Sequence, residues 1–263
     1  MQTVAAGKSS ESVQSLARGL SVLRSFGEGS SRMTLTELSN SSDLPRATVR
    51  RCLITLVELG YVGQDERSFF LKPKLLELGF SYLSSLSFND TVQKNLNILS
   101  NELHESASAA VLDFPDVIYV ARAATSRLMT IGLSVGTKLP ALYTSMGRVM
   151  LSQLPSGTLK SYLDGIQLDP PTKNSISIKS EMIKELENVK NQGYCILDQE
   201  LEIGLRSIAA PIGSHINDTY AAINISVPSS RLSMKELEQN VLPKLLRTAE
   251  DINRELTSVW PNA

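Results

Sequence analysis

The sequence is poor in the residues that metal and covalent chemistry need. Its 263 residues include two cysteines, Cys52 and Cys195, and two histidines, His104 and His215. The cysteines lie far apart in apolar surroundings, so neither a disulfide framework nor a zinc centre is expected. So few histidines leave no basis for a histidine-built metal site. No apolar run approaches the roughly 18 residues of a membrane-spanning helix. The opening MQTVAAGKSSESVQS lacks the apolar core of a signal peptide and reads as a tail, so a cytoplasmic protein is expected. A glycine-rich phosphate loop, an internal repeat, a low-complexity segment and a locally supported nucleophile–base pair are all missing. No cofactor is expected.

The length favours two domains over one, and 42% apolar with 20% charged residues is ordinary for a globular protein. Net charge is −1, but it is unevenly spread. Residues 1–75 hold ten Lys/Arg against seven Asp/Glu, and the remaining 188 hold sixteen against twenty. The basic excess falls where DLPRATVRRCLITLVELG (43–60) reads as a helix. At 100° per residue Val49, Cys52, Leu53, Leu56 and Leu59 form a stripe for burial. Arg50, Arg51, Ala47 and Ile54 lie opposite, with Arg46 at the border. Cations at a helix N-terminus cost a few tenths of a kcal/mol against the dipole, so an anionic partner is expected to compensate.

The neighbouring segments give that helix a context. SVQSLARGLSVLRSF (12–26) is an amphipathic helix with Val13, Leu16, Leu20, Leu23 and Phe26 on one face. MTLTELSNSS carries a capping-box pattern, Thr34 with Glu37, ahead of a two-turn helix. The turn SSDLP leads into the arginine helix at Pro45, and Gly60 ends it. YVGQDERSFFLK reads as strand, polar turn and strand, with Arg67 at the tip. This order is a winged helix-turn-helix over 12–74, its helix-turn-helix at about 35–54, and it puts the arginine helix into a DNA major groove. Thr34, Arg46, Ala47, Thr48, Arg50, Arg51 and Arg67 are the candidate contacts to phosphates and base edges of double-stranded operator DNA. The alternative for a single arginine pair is a solvated surface; the helix order, turn length and wing together weigh against it.

LLELGFSYLSSLSF (75–88) reads as a linker helix whose apolar face suits a partner helix in a dimer, or equally packing within one chain. Residues 89–258 read as a second, α+β domain. DTVQKNLNILSNELHES is a helix; SAAVLDF, VIYVARAA and LMTIGL are strands; TSMGRVMLSQL is a short helix capped by Thr144. SEMIKELENVKNQG is a helix ended by Gly193. YCILD, LRSIAAPI and TYAAINISVP are strands of a largely antiparallel sheet, and SMKELEQNVLPKLLRTAEDINRELTS closes the chain as a long helix.

The chain resembles the IclR family of bacterial transcription regulators over nearly its full length. The matching pieces are SVQSLARGLSVLRSF, LTELSNSSDLPRATVRRCLITLVELGYV, VGTKLPALYTSMGRVMLSQLP, DQELEIGLRSIAAPI and AAINISVPSSRL. LPALYTSMGRVML and SYLSSL look most like the branch that regulates protocatechuate and p-hydroxybenzoate breakdown. The resemblance implies a winged helix-turn-helix, a linker helix and a GAF-like effector domain. It also implies dimers or tetramers on palindromic operators, and a small organic or aromatic acid as effector. It places the effector pocket at Leu139, Leu142, Thr144, Ser145, Met146, Asp198, Ser207, Asn224 and Ser226. Ser145 and Met146 stand where the family often has Gly-Ala, Ser207 where it often has Cys, and Asn224 where it often has Ser. The ligand therefore cannot be copied from a better-known member.

The residues allow a physical account of such a pocket. Free N–H groups of Ser145, Met146 and Gly147 at a helix N-terminus suit an anion. Asn224 and Ser226 alternate on one strand face and suit a hydroxyl or carboxylate; the alternative is polar groups paired within the sheet. Arg122 and Arg127 suit a carboxylate or a solvated strand end. Cys195 reads as a small core residue. Three functions remain open: a ligand-responsive regulator; an enzyme on a small organic acid, with Asp198 and Glu200 as acid–base groups; and an effector-independent DNA binder.

Overall fold

The computed structural model describes residues 12–26, 31–85, 89–124, 133–216 and 219–259. Contacts divide the chain into two compact units, 1–85 and 86–263.

The first unit packs α1 (Gln14–Arg24), α2 (Leu35–Ser42) and α3 (Arg46–Glu58) around Val22, Leu38, Val49, Leu53, Leu56 and Val62. Burying each of these side chains contributes about 1.5–3 kcal/mol. Thr34 caps α2 through the reciprocal capping box with Glu37, which satisfies two otherwise orphaned N–H groups. Asp43, in the left-handed conformation, ends α2. Pro45 fixes the extended approach to α3. The wing is the antiparallel pair β2 (Val62–Asp65) and β3 (Ser68–Leu71), and β1 (Met33–Thr34) adds a third strand beside β3. A 3-10 turn (Pro73–Leu75) leads into α4 (Leu76–Ser85).

The second unit is a six-stranded antiparallel sheet in the order β6-β5-β4-β9-β8-β7, formed by Lys138–Pro140, Asp116–Ala123, Ser106–Asp113, Thr219–Pro228, Leu205–Ile216 and Cys195–Asp198. One face is covered by α5 (Asn89–Leu103) and α10 (Leu242–Val259). The other is covered by a 3-10 turn (Ala141–Tyr143), α6 (Ser145–Ser152) and α8 (Lys179–Gln192), which packs on α6. This double cover explains why β4, SASAAVLD, shows no simple alternation: its first six residues are all buried. α7 (Ser156–Gly165) flanks this layer, and Gly193, in the left-handed conformation, ends α8.

Several elements differ from their sequence expectation. Leu59 is 53% exposed instead of buried, because it caps α3 and faces an open groove. The helix expected through residue 106 stops at Leu103, since His104 turns left-handed and Ser106 starts β4. The closing helix is interrupted by a π turn (Leu237–Val241) between a short α9 (Met234–Glu236) and α10. Pro243 follows it; having no N–H and a crowding ring, it disfavours a regular α turn there. Arg127 and most of the expected strand LMTIGL lie outside the described residues.

Candidate functional site

Among the described residues two sets of polar groups lack internal partners, one in each unit. In the first, Arg46, Arg50 and Arg51 are exposed along α3 and Arg67 is exposed on the wing. Among the described residues no carboxylate pairs with any of them. Arg46, Arg50 and Arg67 border one groove of about 740 Å³ together with Thr34, Thr36 and Gln64. The hydroxyl of Thr34 is already engaged by the Glu37 carboxylate at 2.8 Å. Ala47 is exposed and Thr48 half-buried. Arg51 diverges from its neighbours. With Thr48 it borders a second groove of about 820 Å³ on the α1 side, where Arg18 and Ser15 join them. Arg18 had no distinguishing signal in the sequence; only the packing of α1 on α3 brings it beside Arg51. The wing is stiffened towards its tip, where Arg32 pairs with Asp65, the last residue of β2, and lies 4.8 Å over the Phe70 ring. Unpaired guanidinium forks on a protruding helix and wing are suited to phosphate oxygens and guanine edges.

In the second unit the register builds the site. Arg122 on β5 lies opposite Ser108 on β4, Ser108 opposite Asn224 on β9, and Asn224 opposite Ala209 on β8. Ser106, Ser226 and Ser207 form the adjacent row. Directly opposed residues share a sheet face, and here it is the face that α6 covers, since Ala209 and Ala222 pack with Met146 and Met150. The half of that face holding these two rows is therefore polar while the rest is apolar. Asn224 is 3% exposed; its Nδ2 donates to Ser226 Oγ at 3.1 Å, and its Oδ1 has no partner. Ser145, the first residue of α6, is 1% exposed and its Oγ also has none. Buried polar groups without partners cost about 1–3 kcal/mol each, so this face holds binding capacity the protein itself does not use.

The other expected pocket residues sort differently. Ser207 lies on the polar face beside Ser226. Asp198 does not: it sits at the opposite parity from Leu197, the partner of Ser207, and its carboxylate is taken by Arg206 at 2.7 Å. That hydrogen bond, with a second from Gln199, holds Asp198 below the ordinary carboxylate range. Thr144 is the cap of α6; its Oγ1 accepts from Gly147 N–H at 3.1 Å, so of the three amides expected to face an anion that of Gly147 is already used. The side chains of Leu142 and Met146 are fully in the core, and Leu139 packs against it. Gly147 is required by space: a Cβ there would run into the Ala141 carbonyl of the preceding 3-10 turn. Cys195 is buried, and burial pushes its thiol up to about 12, which removes the reactive thiolate.

Arg148 and Glu200, unlinked in the sequence, form the frame of this layer. Arg148 is 1% exposed. Its Nε donates to the Leu142 carbonyl at 2.8 Å, and its two terminal nitrogens donate to the two Glu200 oxygens, one at 2.9 Å. The Glu200 carbonyl is held in turn by the hydroxyls of Thr172 and Ser175. Glu200 is thus a structural counter-ion.

Comparisons with known proteins agree with this architecture. Residues 15–66 match the model of the IclR helix-turn-helix domain, and residues 80–254 match that of the bacterial transcriptional regulator IclR C-terminal domain. The Pca regulon regulatory protein of Pseudomonas putida is 42% identical, covering 92% of this chain and 84% of its own. The crystal structure of a transcriptional regulator from Rhodococcus sp. RHA1 is 48% identical, with TM-score 0.83 over 94% of this chain and all of that one. A double mutant of the inducer-binding domain of the PobR transcription factor from Acinetobacter, solved with 3-hydroxybenzoic acid, is 30% identical. It has TM-score 0.59 over 62% of this chain and 96% of its own.

Proposed function

The chain belongs to the IclR family of bacterial transcription regulators, and from that premise we propose that it controls a catabolic operon for an aromatic acid, with a small hydroxybenzoate as its signal. The observation that carries this reading is the pair of unsatisfied polar sets: Arg46, Arg50 and Arg67 on the arginine helix and wing, and Asn224 on the covered sheet face with Ser145 at the start of the helix over it. The first set meets operator DNA. The second, with Ser207 and Ser226, takes the effector. The Pca regulon relative, a p-hydroxybenzoate hydroxylase transcriptional activator of Acinetobacter baylyi and the PobR domain solved with 3-hydroxybenzoic acid support a hydroxybenzoate such as protocatechuate or p-hydroxybenzoate as the chemical class. The effector acts by binding one DNA-binding state better than the other, since equal affinity for both would shift nothing.

Domain limits of 12–74, 75–88 and 89–258 go with this reading, as does action in the cytoplasm, where the DNA lies. Among the described residues no helix is long and apolar enough to cross a membrane. A homo-oligomer is part of the proposal. α1 and α4 expose Leu16, Leu20, Leu78 and Phe80, apolar residues that a second copy would cover. A binding role is preferred to catalysis because the acid–base candidates Glu200 and Asp198 are both engaged by arginines.

The test is to capture genomic DNA fragments on the protein and titrate the selected fragment with and without 4-hydroxybenzoate and protocatechuate. A defined fragment whose affinity changes severalfold with one acid supports the proposal. Response only to neutral hydrophobic compounds overturns it.

A further inference from the structure

We infer that the effector is gripped at two ends by different strands: its anionic group by Arg122 on β5, and a hydroxyl by the Oδ1 of Asn224 on β9, with Ser108 beneath it. This rests on the proposed effector function and adds the ligand's orientation and the two groups it must carry. Arg122 is half-buried, and among the described residues no carboxylate pairs with it. One terminal nitrogen donates to the Leu133 carbonyl, while its Nε is buried without a partner. A buried guanidinium donor with no counter-ion is costly unless an anion arrives. Asn224 presents the reverse need. Its Nδ2 gives one of its two N–H groups to Ser226, and its Oδ1 is an acceptor with no partner among the described residues. A carboxylate would be repelled there; a hydroxyl would be bound.

Arg122, Ser108 and Asn224 are consecutive partners across three strands. The outer two are thus two strand spacings apart, about 10 Å between Cα atoms. Both project on the face that α6 covers, with the buried Ser108 between them as a short floor. A molecule with a carboxylate at one end and a hydroxyl at the other spans this interval once both side chains reach inward. A cationic donor at one end and a neutral amide oxygen at the other favour the orientation with the carboxylate at Arg122.

Calorimetry on the full-length protein reads this directly, using 4-hydroxybenzoate, benzoate, 4-hydroxybenzamide and the aliphatic 4-hydroxybutyrate with wild type, Arg122→Gln and Asn224→Leu. Arg122→Gln is expected to weaken the acids by roughly tenfold to a hundredfold and leave the amide within about threefold. Asn224→Leu is expected to weaken 4-hydroxybenzoate and leave benzoate nearly unchanged. Because Asn224 is in the core, the wild-type preference for 4-hydroxybenzoate over benzoate and over the amide provides the same reading without a variant. If only the aliphatic hydroxy acid binds and the Arg122 dependence persists, the inference holds and the aromatic reading falls. If aromatic acids bind but Arg122→Gln weakens acid and amide alike, or neither, the inference falls and the aromatic reading stands. A wild type that binds none of the four overturns the inference.

Discussion

Arg148 is closed against Glu200 across 52 residues of sequence, in a bidentate pair whose arginine is shielded from water. The pair ties α6 to the loop after β7, so the helix that carries Ser145 is clamped at its middle. Removing one partner strands a buried charge. Glu200→Ala is expected to cost about 3–5 kcal/mol of unfolding free energy, and the double change Arg148→Met with Glu200→Leu distinctly less. Urea denaturation of the three proteins checks this; equal losses would deny the clamp.

Arg50→Ala is expected to leave thermal stability nearly unchanged, since its side chain is exposed and unpaired by any carboxylate among the described residues. Operator affinity should fall by about 1–3 kcal/mol if Arg50 reads a base. Arg67→Ala on the wing should weaken specific and non-specific DNA alike and lower the salt slope by about one, the signature of a phosphate contact. Fluorescence anisotropy across a salt series separates the two.

Gly147→Ala places a methyl group against the Ala141 carbonyl, where backbone meets backbone and neither side can swing away. A loss of about 1–3 kcal/mol is expected, with weaker effector binding because Ser145 moves with the helix. A thermal melt with and without ligand measures both; an unchanged melt would mean that the turn has room to shift.

Asp198 carries a pH signature. Its folded pKa is depressed, chiefly by the Arg206 hydrogen bond. The stabilisation is therefore present above the unfolded carboxylate value of about 4 and is lost as pH falls through the folded value. Asp198→Asn should be less stable than wild type at pH 7, with the gap narrowing towards pH 3 in urea denaturation. A gap that does not change with pH would remove the ionic contribution.

Self-association is expected to depend on the exposed apolar residues of α1 and α4. Leu20→Glu with Phe80→Glu should convert an oligomer to smaller species at micromolar concentration in sedimentation. An unchanged assembly would assign it to the other unit.

The local signals were legible. Thr34 with Glu37, Thr144, Gly193 and the phase of Val49, Leu53 and Leu56 all announce themselves within a few residues. What escaped depends on distant partners. β1 is two residues long and exists because β3 pairs with it. α7, SGTLKSYLDG, buries only Leu163 and contains two glycines, so neither its periodicity nor its propensity marks it. Arg148 sits in a helix buried on every side, a place a charge occupies only because Glu200 meets it. The proposed pocket was half legible: Asn224 and Ser226 share a parity visible in the sequence, but the register of β7 on β8, which only the fold sets, puts Asp198 on the face opposite to Ser207. Ser108 could have been found from the Ser-Ala alternation that opens β4, with serines on one side.

The alternation along β9 has a consequence for how such a regulator diversifies. Asn224 and Ser226 look towards the polar face, while Ile223 and Ile225 look towards the opposite one and are fully buried. One strand therefore bears two independent duties, separated by nothing more than odd and even numbering. On the proposed reading, a substitution at Asn224 or Ser226 changes what the domain recognises without removing an isoleucine from the opposite layer, and a change at Ile223 or Ile225 does the reverse. Such a strand can be retuned to a new molecule in single steps that leave the isoleucine layer untouched.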